Sequence, residues 1–323
     1  MSKKRVYITR PIQDEAIVLL KENFDVTMNH EDRVVDRDEL MGAVENVDAL
    51  LCLINDNVDR EIINRAAGVK IIANYGVGYN NIDVREASRK GIIVTNTPDV
   101  LTDATADLAW GLLLAAARRI VESDRFTREG KYKSWSPTLL LGRSVAGKTL
   151  GIIGAGRIGK AVAKRSIGFD MKVLYHNRNR DDNMEKEFNA EWTDMETLIR
   201  KADFISLHVP LTDQTHHMIG AREFETMKDT AILINTSRGP VVDEKALVNA
   251  LRQRLIWGAG LDVYEREPQI EEGLNDLDNV VLASHIGSAT VEARTSMAMM
   301  AARNILSVLN GGQPLTPVNI KPR

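Results

Sequence analysis

Short, largely apolar runs recur along this sequence, and amphipathic stretches separate most of them. Four such runs fall in the first hundred residues, at 5–9, 49–52, 70–73 and 91–95. Six more follow Gly147, at 149–153, 172–175, 204–208, 231–235, 258–262 and 279–283. Runs of this kind are typical of strands that helices cover on both faces of a parallel sheet. The two series therefore predict an α/β protein with two doubly wound parallel-sheet domains and a cleft between them.

Helical periodicity marks three longer segments. Residues 11–23, 102–121 and 290–309 carry apolar side chains at helical spacing, and Thr102 is expected to cap the second segment. The third segment is followed by too little chain for another domain. It is therefore expected to pack on a domain that is already built.

Charge and cysteine usage exclude several functional classes. The chain has 323 residues, with 42 Lys and Arg against 45 Asp and Glu, so we expect no nucleic-acid or membrane partner. The longest apolar stretch, 108–117, is too short to span a bilayer, which takes about 20 residues. The charged residues around 3–5 and Arg10 leave no room for a signal peptide. The single cysteine, Cys52, fits a reducing compartment, so a cytoplasmic protein is expected.

A glycine loop supplies the first chemical signal. Its residues are Gly154, Ala155, Gly156, Arg157, Ile158 and Gly159. An apolar strand leads into this GxGxxG pattern and a helical segment leads out, which is the context of a dinucleotide-binding loop. The first glycine permits the tight turn, the second permits close approach of a pyrophosphate, and the third permits close packing of helix and strand. Taken without that context, the same glycines would indicate only a turn.

The end of the next strand bears on cofactor preference. An NAD site usually has an acidic residue there, about 20 residues past the glycines, to bind the ribose hydroxyls. This chain instead has His176, Asn177, Arg178 and Asn179. A 2′-phosphate would meet a cation and hydrogen-bond donors, so NADP(H) is favoured and NAD(H) stays open. In the alternative interpretation, Arg178 is a solvated loop charge. No second metal ligand lies at a suitable spacing from His176, so no metal is expected.

Three polar residues follow three strands of the second series. Arg238, Glu267 and His285 each come shortly after a predicted strand, and the carboxyl ends of parallel strands form the binding edge of a sheet. Reduction of a 2-oxo acid needs a proton donor that titrates near neutral pH, which suits a histidine beside a carboxylate. An arginine can bind the substrate carboxylate and polarise its carbonyl. Each of the three, taken singly, also has an ordinary structural explanation.

Motifs in order along the whole chain resemble the D-isomer-specific 2-hydroxyacid dehydrogenases, within the glyoxylate/hydroxypyruvate reductase branch. Besides the glycine loop, they lie at 73–83, 95–102, 105–107, 235–243, 260–263, 267–268 and 285–290. The resemblance implies a flavodoxin-like substrate domain, 1–101 plus 290–323, and a Rossmann cofactor domain, 102–289. It also implies that the helices at 102–121 and 290–309 cross between these domains, whose closure would exclude water.

The same resemblance implies roles for individual residues. His285 would be the general acid/base, Glu267 its partner and Arg238 the residue that orients the substrate. The substrate carboxylate would be held by the loop that contains Tyr75, Val77 and Gly78. Further cofactor contacts would come from Thr105, Thr236, Ser237, Asp262 and Gly287, although Asp262 is equally well explained as a strand-end cap. Trp135 would reach the site of a neighbouring subunit and restrict substrate size, so a homodimer is expected, although an aromatic residue in a polar loop is also a plain dimer contact.

The function that follows is NAD(P)H-dependent reduction of a small 2-oxo acid, glyoxylate or hydroxypyruvate, to the 2-hydroxy acid. Two alternatives stay open. One is a dinucleotide-sensing interaction protein that resembles the co-repressors related to this family. The other is a dehydrogenase for a different D-2-hydroxy acid.

Overall fold

The computed structural model describes residues 3–319, which fall into two compact units. The first unit ends at Leu101 and resumes at Ser288, and the second is Thr102–Gly287. The outermost residues of the predicted substrate domain, 1–2 and 320–323, lie outside the described residues. The assignment of substrate and cofactor to separate units stays a prediction.

The described residues form parallel strands and α-helices in alternation. The strands are β1 (Arg5–Ile8), β2 (Asp25–Met28), β3 (Ala49–Leu53), β4 (Ile71–Tyr75), β5 (Ile93–Thr95), β6 (Thr149–Ile153), β7 (Lys172–His176), β8 (Glu191–Trp192), β9 (Phe204–Leu207), β10 (Ile232–Asn235), β11 (Gly258–Leu261) and β12 (Val280–Leu282). The helices are α1 (Asp14–Asn23), α2 (Arg37–Glu45), α3 (Arg60–Arg65), α4 (Val84–Arg89), α5 (Thr102–Arg118), α6 (Ile120–Arg128), α7 (Arg157–Ser166), α8 (Asp182–Phe188), α9 (Met195–Lys201), α10 (Ala221–Thr226), α11 (Glu244–Arg252) and α12 (Val291–Leu309).

The first unit is built on a five-stranded sheet in the order β2-β1-β3-β4-β5. All of its strand pairs are parallel, and this order is the flavodoxin-like one. Helix α12 packs against α1 and β4, as expected for a last helix that joins a domain already built. Its first N–H groups are capped by Thr290, whose side chain accepts from the Ala293 N–H.

The second unit is built on a seven-stranded sheet in the order β12-β11-β10-β9-β6-β7-β8. Counted from β6, this is the Rossmann order with one additional strand. The two parallel α/β sheets confirm the predicted fold class. The carboxyl ends of β6, β7, β10, β11 and β12 share one edge of this sheet, and the loops that leave this edge carry the residues discussed below.

Two predicted helix boundaries and one predicted helix cap are wrong. The first helix begins at Asp14 rather than at residue 11, because Gln13 precedes it in an extended conformation. The predicted helix 102–121 is two helices, because Arg119 adopts a left-handed φ of 55° between α5 and α6. Thr102 is the first helical residue of α5 rather than a residue before the helix. Within residues 3–319, no helix is long and apolar enough to cross a membrane.

Candidate active site

The three predicted catalytic residues follow three adjacent strands. Arg238 follows β10, Glu267 follows β11, and His285 follows β12. The Nδ1 atom of His285 lies 2.8 Å from Oε2 of Glu267. The other carboxylate oxygen of Glu267 accepts the Tyr264 N–H at 3.1 Å. The structure thus places the imidazole and the carboxylate in direct contact.

The charges of these groups depend on one another. Burial alone would raise the pKa of Glu267, but the hydrogen bond and charge of His285, together with the charge of Arg238, hold that pKa below its usual value. Burial lowers the pKa of Arg238, and the charge of Glu267 acts in the opposite direction. The Arg238 Nη1 donates to the Ser237 carbonyl at 2.7 Å. An ionised Glu267 therefore favours a proton on His285 Nδ1, and Nε2 makes no hydrogen bond to a described residue.

Asp262 holds the loop that presents His285. Its Oδ1 accepts the Ile286 N–H and its Oδ2 accepts the Gly287 N–H, both at 2.7 Å. Its carbonyl accepts the His285 N–H at 2.9 Å. His285 adopts a left-handed φ of 55°, a conformation that a residue other than glycine keeps only when its surroundings impose it. A Cβ at Gly287 would lie 3.0 Å from Asp262 Oδ2, so a larger residue there would require the Asp262 carboxylate to shift.

The glycine loop has the geometry that phosphate binding needs. Gly154 has a φ of 97°, and a Cβ there would lie 2.6 Å from the His208 carbonyl oxygen. A Cβ at Gly159 would overlap the Gly154 carbonyl, whereas one at Gly156 would meet no atom within 4 Å. Gly156 is the N-cap of α7, and the N–H groups of Ile158 and Gly159 donate to no described residue. Open space and unsatisfied donors at a helix N-terminus fit a pyrophosphate.

The end of β7 offers no carboxylate to a ribose. The Asn177 carbonyl accepts from Trp192 Nε1 at 3.1 Å, while Arg178 and Asn179 are exposed. Arg178 forms no ion pair with a described residue, whereas the neighbouring Arg180 lies 3.2 Å from Glu185. The nearest acid in sequence, Asp181, is already engaged because its Oδ2 lies 2.7 Å from Lys160 Nζ.

Two further predicted cofactor residues, Thr236 and Thr105, are buried. The Thr236 hydroxyl is buried and has no hydrogen-bond partner among the described residues. Thr105 is buried in the first turn of α5, beside Gly287. Ser237 is already engaged, because its hydroxyl donates to Asn235 Oδ1 at 2.8 Å. An unsatisfied buried hydroxyl calls for a partner, so the residues present fit a dinucleotide.

In the first unit, three consecutive carbonyls at the end of β4 are held in place. The carbonyls of Gly76–Gly78 accept, in order, from the Thr97 N–H at 3.0 Å, Asn96 Nδ2 at 2.8 Å and Asn74 Nδ2 at 2.8 Å. In a trans peptide, the N–H points opposite to the carbonyl. These three contacts therefore orient the N–H groups of Val77, Gly78 and Tyr79.

None of those three N–H groups donates to a described residue. Successive unsatisfied N–H groups of this kind bind anions such as carboxylates. Tyr75, just before the loop, is different because its side chain is buried. Its Oη lies 2.7 Å from Gln13 Oε1 and 2.9 Å from the Arg294 carbonyl oxygen. The side chain of Tyr75 is therefore engaged within the first unit.

The comparison with known protein families decides the identity. Residues 110–287 match the D-isomer specific 2-hydroxyacid dehydrogenase, NAD binding domain, which is more than half of the chain. The chain belongs to the D-isomer specific 2-hydroxyacid dehydrogenases. The predicted family and the predicted enzyme class are confirmed. This D-isomer specific 2-hydroxyacid dehydrogenase is an NAD(P)-dependent oxidoreductase that reduces 2-oxo acids to 2-hydroxy acids.

Several known proteins are similar to this dehydrogenase over nearly the whole chain. A glyoxylate reductase from Thermococcus gammatolerans is 52% identical over 321 residues, which cover 98% of this chain and 96% of the relative. The crystal structure of the TT0316 protein from Thermus thermophilus is 44% identical with a TM-score of 0.92, covering 97% of this chain and 99% of that one. The crystal structure of an NADPH-dependent glyoxylate/hydroxypyruvate reductase from Sinorhizobium meliloti, in complex with NADP and malonate, is 32% identical with a TM-score of 0.86. The match covers 100% of this chain and 99% of that one.

Sequence reasoning about this dehydrogenase missed the residues that hold its loops. Asn74 is fully buried inside the apolar strand β4, and this interruption is a signal that could have been used. Asn96 directly follows β5, at the edge where β4 also ends. For Asp262 the sequence leaves a cofactor contact and a strand-end cap open, and its contact with a cofactor stays a prediction. The carboxylate itself is occupied by the loop of His285.

Proposed function

We propose that this dehydrogenase reduces glyoxylate and hydroxypyruvate, with NADPH as the preferred cofactor and His285 as the proton donor. The observation that carries this proposal is the 2.8 Å contact between His285 Nδ1 and Glu267 Oε2, which leaves Nε2 without a hydrogen bond to a described residue. Curated relatives that are about half identical to this chain are named glyoxylate reductases, which supports a small substrate.

The proton is supplied by the chain's own residues. Bound NADPH provides the hydride that adds to the carbonyl carbon. The oxygen then needs a proton, which His285 delivers from Nε2 while the ionised Glu267 stabilises the imidazolium through Nδ1. In the reverse direction, His285 accepts the proton of the hydroxyl group. General acid–base catalysis of this kind contributes about 10²- to 10⁴-fold in rate.

Substrate orientation comes from two groups. The Arg238 guanidinium, which lies within the electrostatic influence of Glu267, polarises the carbonyl and binds the substrate carboxylate. The N–H groups of Val77 and Gly78, at the end of the strand that contains Tyr75, supply further donors to the carboxylate. Support for this role is their orientation and their lack of a hydrogen-bond acceptor among the described residues.

The cofactor preference follows from the charges at the end of β7. The glycine loop binds the pyrophosphate, and Arg178 with Asn177 and Asn179 binds the 2′-phosphate of NADPH. Arg178 is exposed and forms no ion pair with a described residue, and Asp181 is engaged by Lys160, which supports NADP(H) over NAD(H).

We propose a homodimer in which Trp135 reaches the partner's site and limits substrate size. The Trp135 side chain is 78% exposed, and its neighbours Tyr132 and Leu141 are also more than half exposed. Exposed apolar side chains that are concentrated in one short segment of the chain favour an interaction surface. We place the enzyme in the cytoplasm because its single cysteine, Cys52, is a buried free thiol.

A steady-state panel tests the proposed function. It measures kcat/KM with NADH and NADPH against glyoxylate, hydroxypyruvate, pyruvate and phenylpyruvate. We expect the highest value for glyoxylate or hydroxypyruvate with NADPH. A preference for phenylpyruvate would contradict the substrate, and a preference for NADH would contradict the cofactor. Binding of cofactor with no turnover of any substrate would favour a dinucleotide sensor.

A further inference from the structure

Two glutamates of the second unit exchange hydrogen bonds through their backbones. Glu244, the first residue of α11, is only 2% exposed. Its Oε1 accepts the Glu265 N–H at 2.9 Å, and Glu265 Oε1 accepts the Glu244 N–H at 2.7 Å. The charge of Glu265 disfavours a second charge on the buried Glu244, so the pair calls for an explanation beyond packing.

The pair joins the two segments that carry catalytic groups. Glu265 lies two residues before Glu267, and Glu244 follows Arg238 by six residues. The same segments also meet at Gly239, where a Cβ would overlap the carbonyl of Tyr264. Within the segment 264–267, the Tyr264 N–H is bound by Glu267 and the Glu265 N–H is bound by Glu244.

We propose that Glu244 is a positioning residue for the reaction. By accepting the Glu265 N–H, it holds the segment 264–267 against the segment that carries Arg238. Glu267 then contacts His285 and stays within the electrostatic influence of Arg238. This inference rests on the catalytic roles given under the proposed function. The positioning role requires an acceptor oxygen at residue 244 and does not require a negative charge there.

The environment of Glu244 favours a neutral side chain. Burial, with the charges of Glu265 and Glu271, raises the pKa of Glu244 to about 7, although the Glu265 N–H and the charge of Arg266 act in the opposite direction. Its Oε2 is buried without a hydrogen-bond partner among the described residues. Glutamine has the same length and keeps an acceptor oxygen, so it reproduces the required contact.

The experiment compares Glu244→Ala and Glu244→Gln with the wild type. The substrate is the 2-oxo acid that the wild type reduces fastest, so an error in the proposed substrate leaves this test intact. We expect Glu244→Ala to lower kcat by roughly tenfold to a hundredfold, because small misplacements of catalytic groups have effects of this size. The Kd for NADPH should be unchanged, and Glu244→Gln should retain the wild-type kcat.

Glu223→Ala is the matched control, because Glu223 also accepts a backbone N–H at a helix start, that of Gly220 at 3.0 Å. It should lower the Tm without changing kcat. If Glu244→Ala does not fold, Glu244→Asp replaces it, since the shorter side chain withdraws the acceptor, and kcat should fall. A wild-type kcat in the folded Ala or Asp variant would overturn the proposal. So would an equal loss of kcat in Glu244→Gln and Glu244→Ala.

Discussion

The imidazole of His285 meets the carboxylate of Glu267 at 2.8 Å because a third residue shapes the loop between β12 and α12. The carboxylate of Asp262 binds two successive N–H groups just after His285, and its carbonyl binds the N–H of His285 itself. These contacts keep His285 in its left-handed conformation. The proposed catalytic geometry thus depends on a buried acid that need not touch the substrate.

Asp262→Asn should disturb this loop. An amide offers one oxygen and one NH₂ group, so one of the two N–H groups at Ile286 and Gly287 would face a donor. We expect kcat to fall by about tenfold or more and the free energy of unfolding to fall by about 1–3 kcal/mol. The control is Asp194→Asn, which changes an exposed cap that accepts the Thr197 N–H at 2.8 Å. An unchanged kcat in Asp262→Asn would show that Asp262 does not determine the position of His285.

Asn96→Asp should weaken the binding of the 2-oxo acid. It replaces the donor to the Val77 carbonyl with an acceptor, which turns the following peptide and its Gly78 N–H out of place. We expect KM for the substrate to rise by roughly tenfold or more, while KM for NADPH stays constant. Asn23→Ala removes a similar amide-to-carbonyl bond, to Leu19 on α1, and should change neither value. An unchanged substrate KM in Asn96→Asp would argue against the Gly76–Gly78 loop as the carboxylate site.

Arg178→Ala should discriminate between the two cofactors. Loss of a cation that pairs with the 2′-phosphate costs about 1.5–3 kcal/mol, so KM for NADPH should rise by about tenfold or more while KM for NADH changes little. Arg180→Ala is the control, because Arg180 already pairs with Glu185. An equal rise in KM for both cofactors would indicate that Arg178 is a solvated loop charge and does not bind the 2′-phosphate.

Much of the fold could be predicted from the sequence, because the central strands are buried on both faces. Strands such as β3, β4 and β10 are largely apolar, and nearly all of their residues are buried. The strands β2 and β8 were missed because they lack such burial. Both lie at a sheet edge, carry exposed residues and show no apolar run.

The site was less accessible to prediction, because its supporting contacts join residues that are distant in sequence. A motif can indicate His285 and Glu267, but the sequence alone does not reveal that Asp262 holds the loop of His285. Nor does it reveal that Glu244 and Glu265 exchange hydrogen bonds, since charged residues at a helix start are usually solvated. Such contacts follow from the packing of loops, which local patterns do not encode.

Glu244→Gln should change how stability depends on pH. The folded-state pKa of Glu244, about 7, lies above its ordinary value of 4.5, so the wild type loses stability as pH rises from about 4.5 through 7. The glutamine variant lacks this titration. Its free energy of unfolding, relative to that of the wild type, should therefore increase between pH 4.5 and 8 by up to about 3 kcal/mol. Urea unfolding of both proteins across this pH range measures the difference. If the free energies of unfolding of the two proteins changed in parallel with pH, the pKa of Glu244 would not be raised in the folded state.

The most direct test of the central claim is the kcat of His285→Ala for glyoxylate reduction with NADPH. If His285 is the proton donor, kcat should fall by at least about a hundredfold, while the Kd for NADPH measured on the same sample stays at the wild-type value. A kcat close to that of the wild type would contradict the account, because the proton would then come from another group.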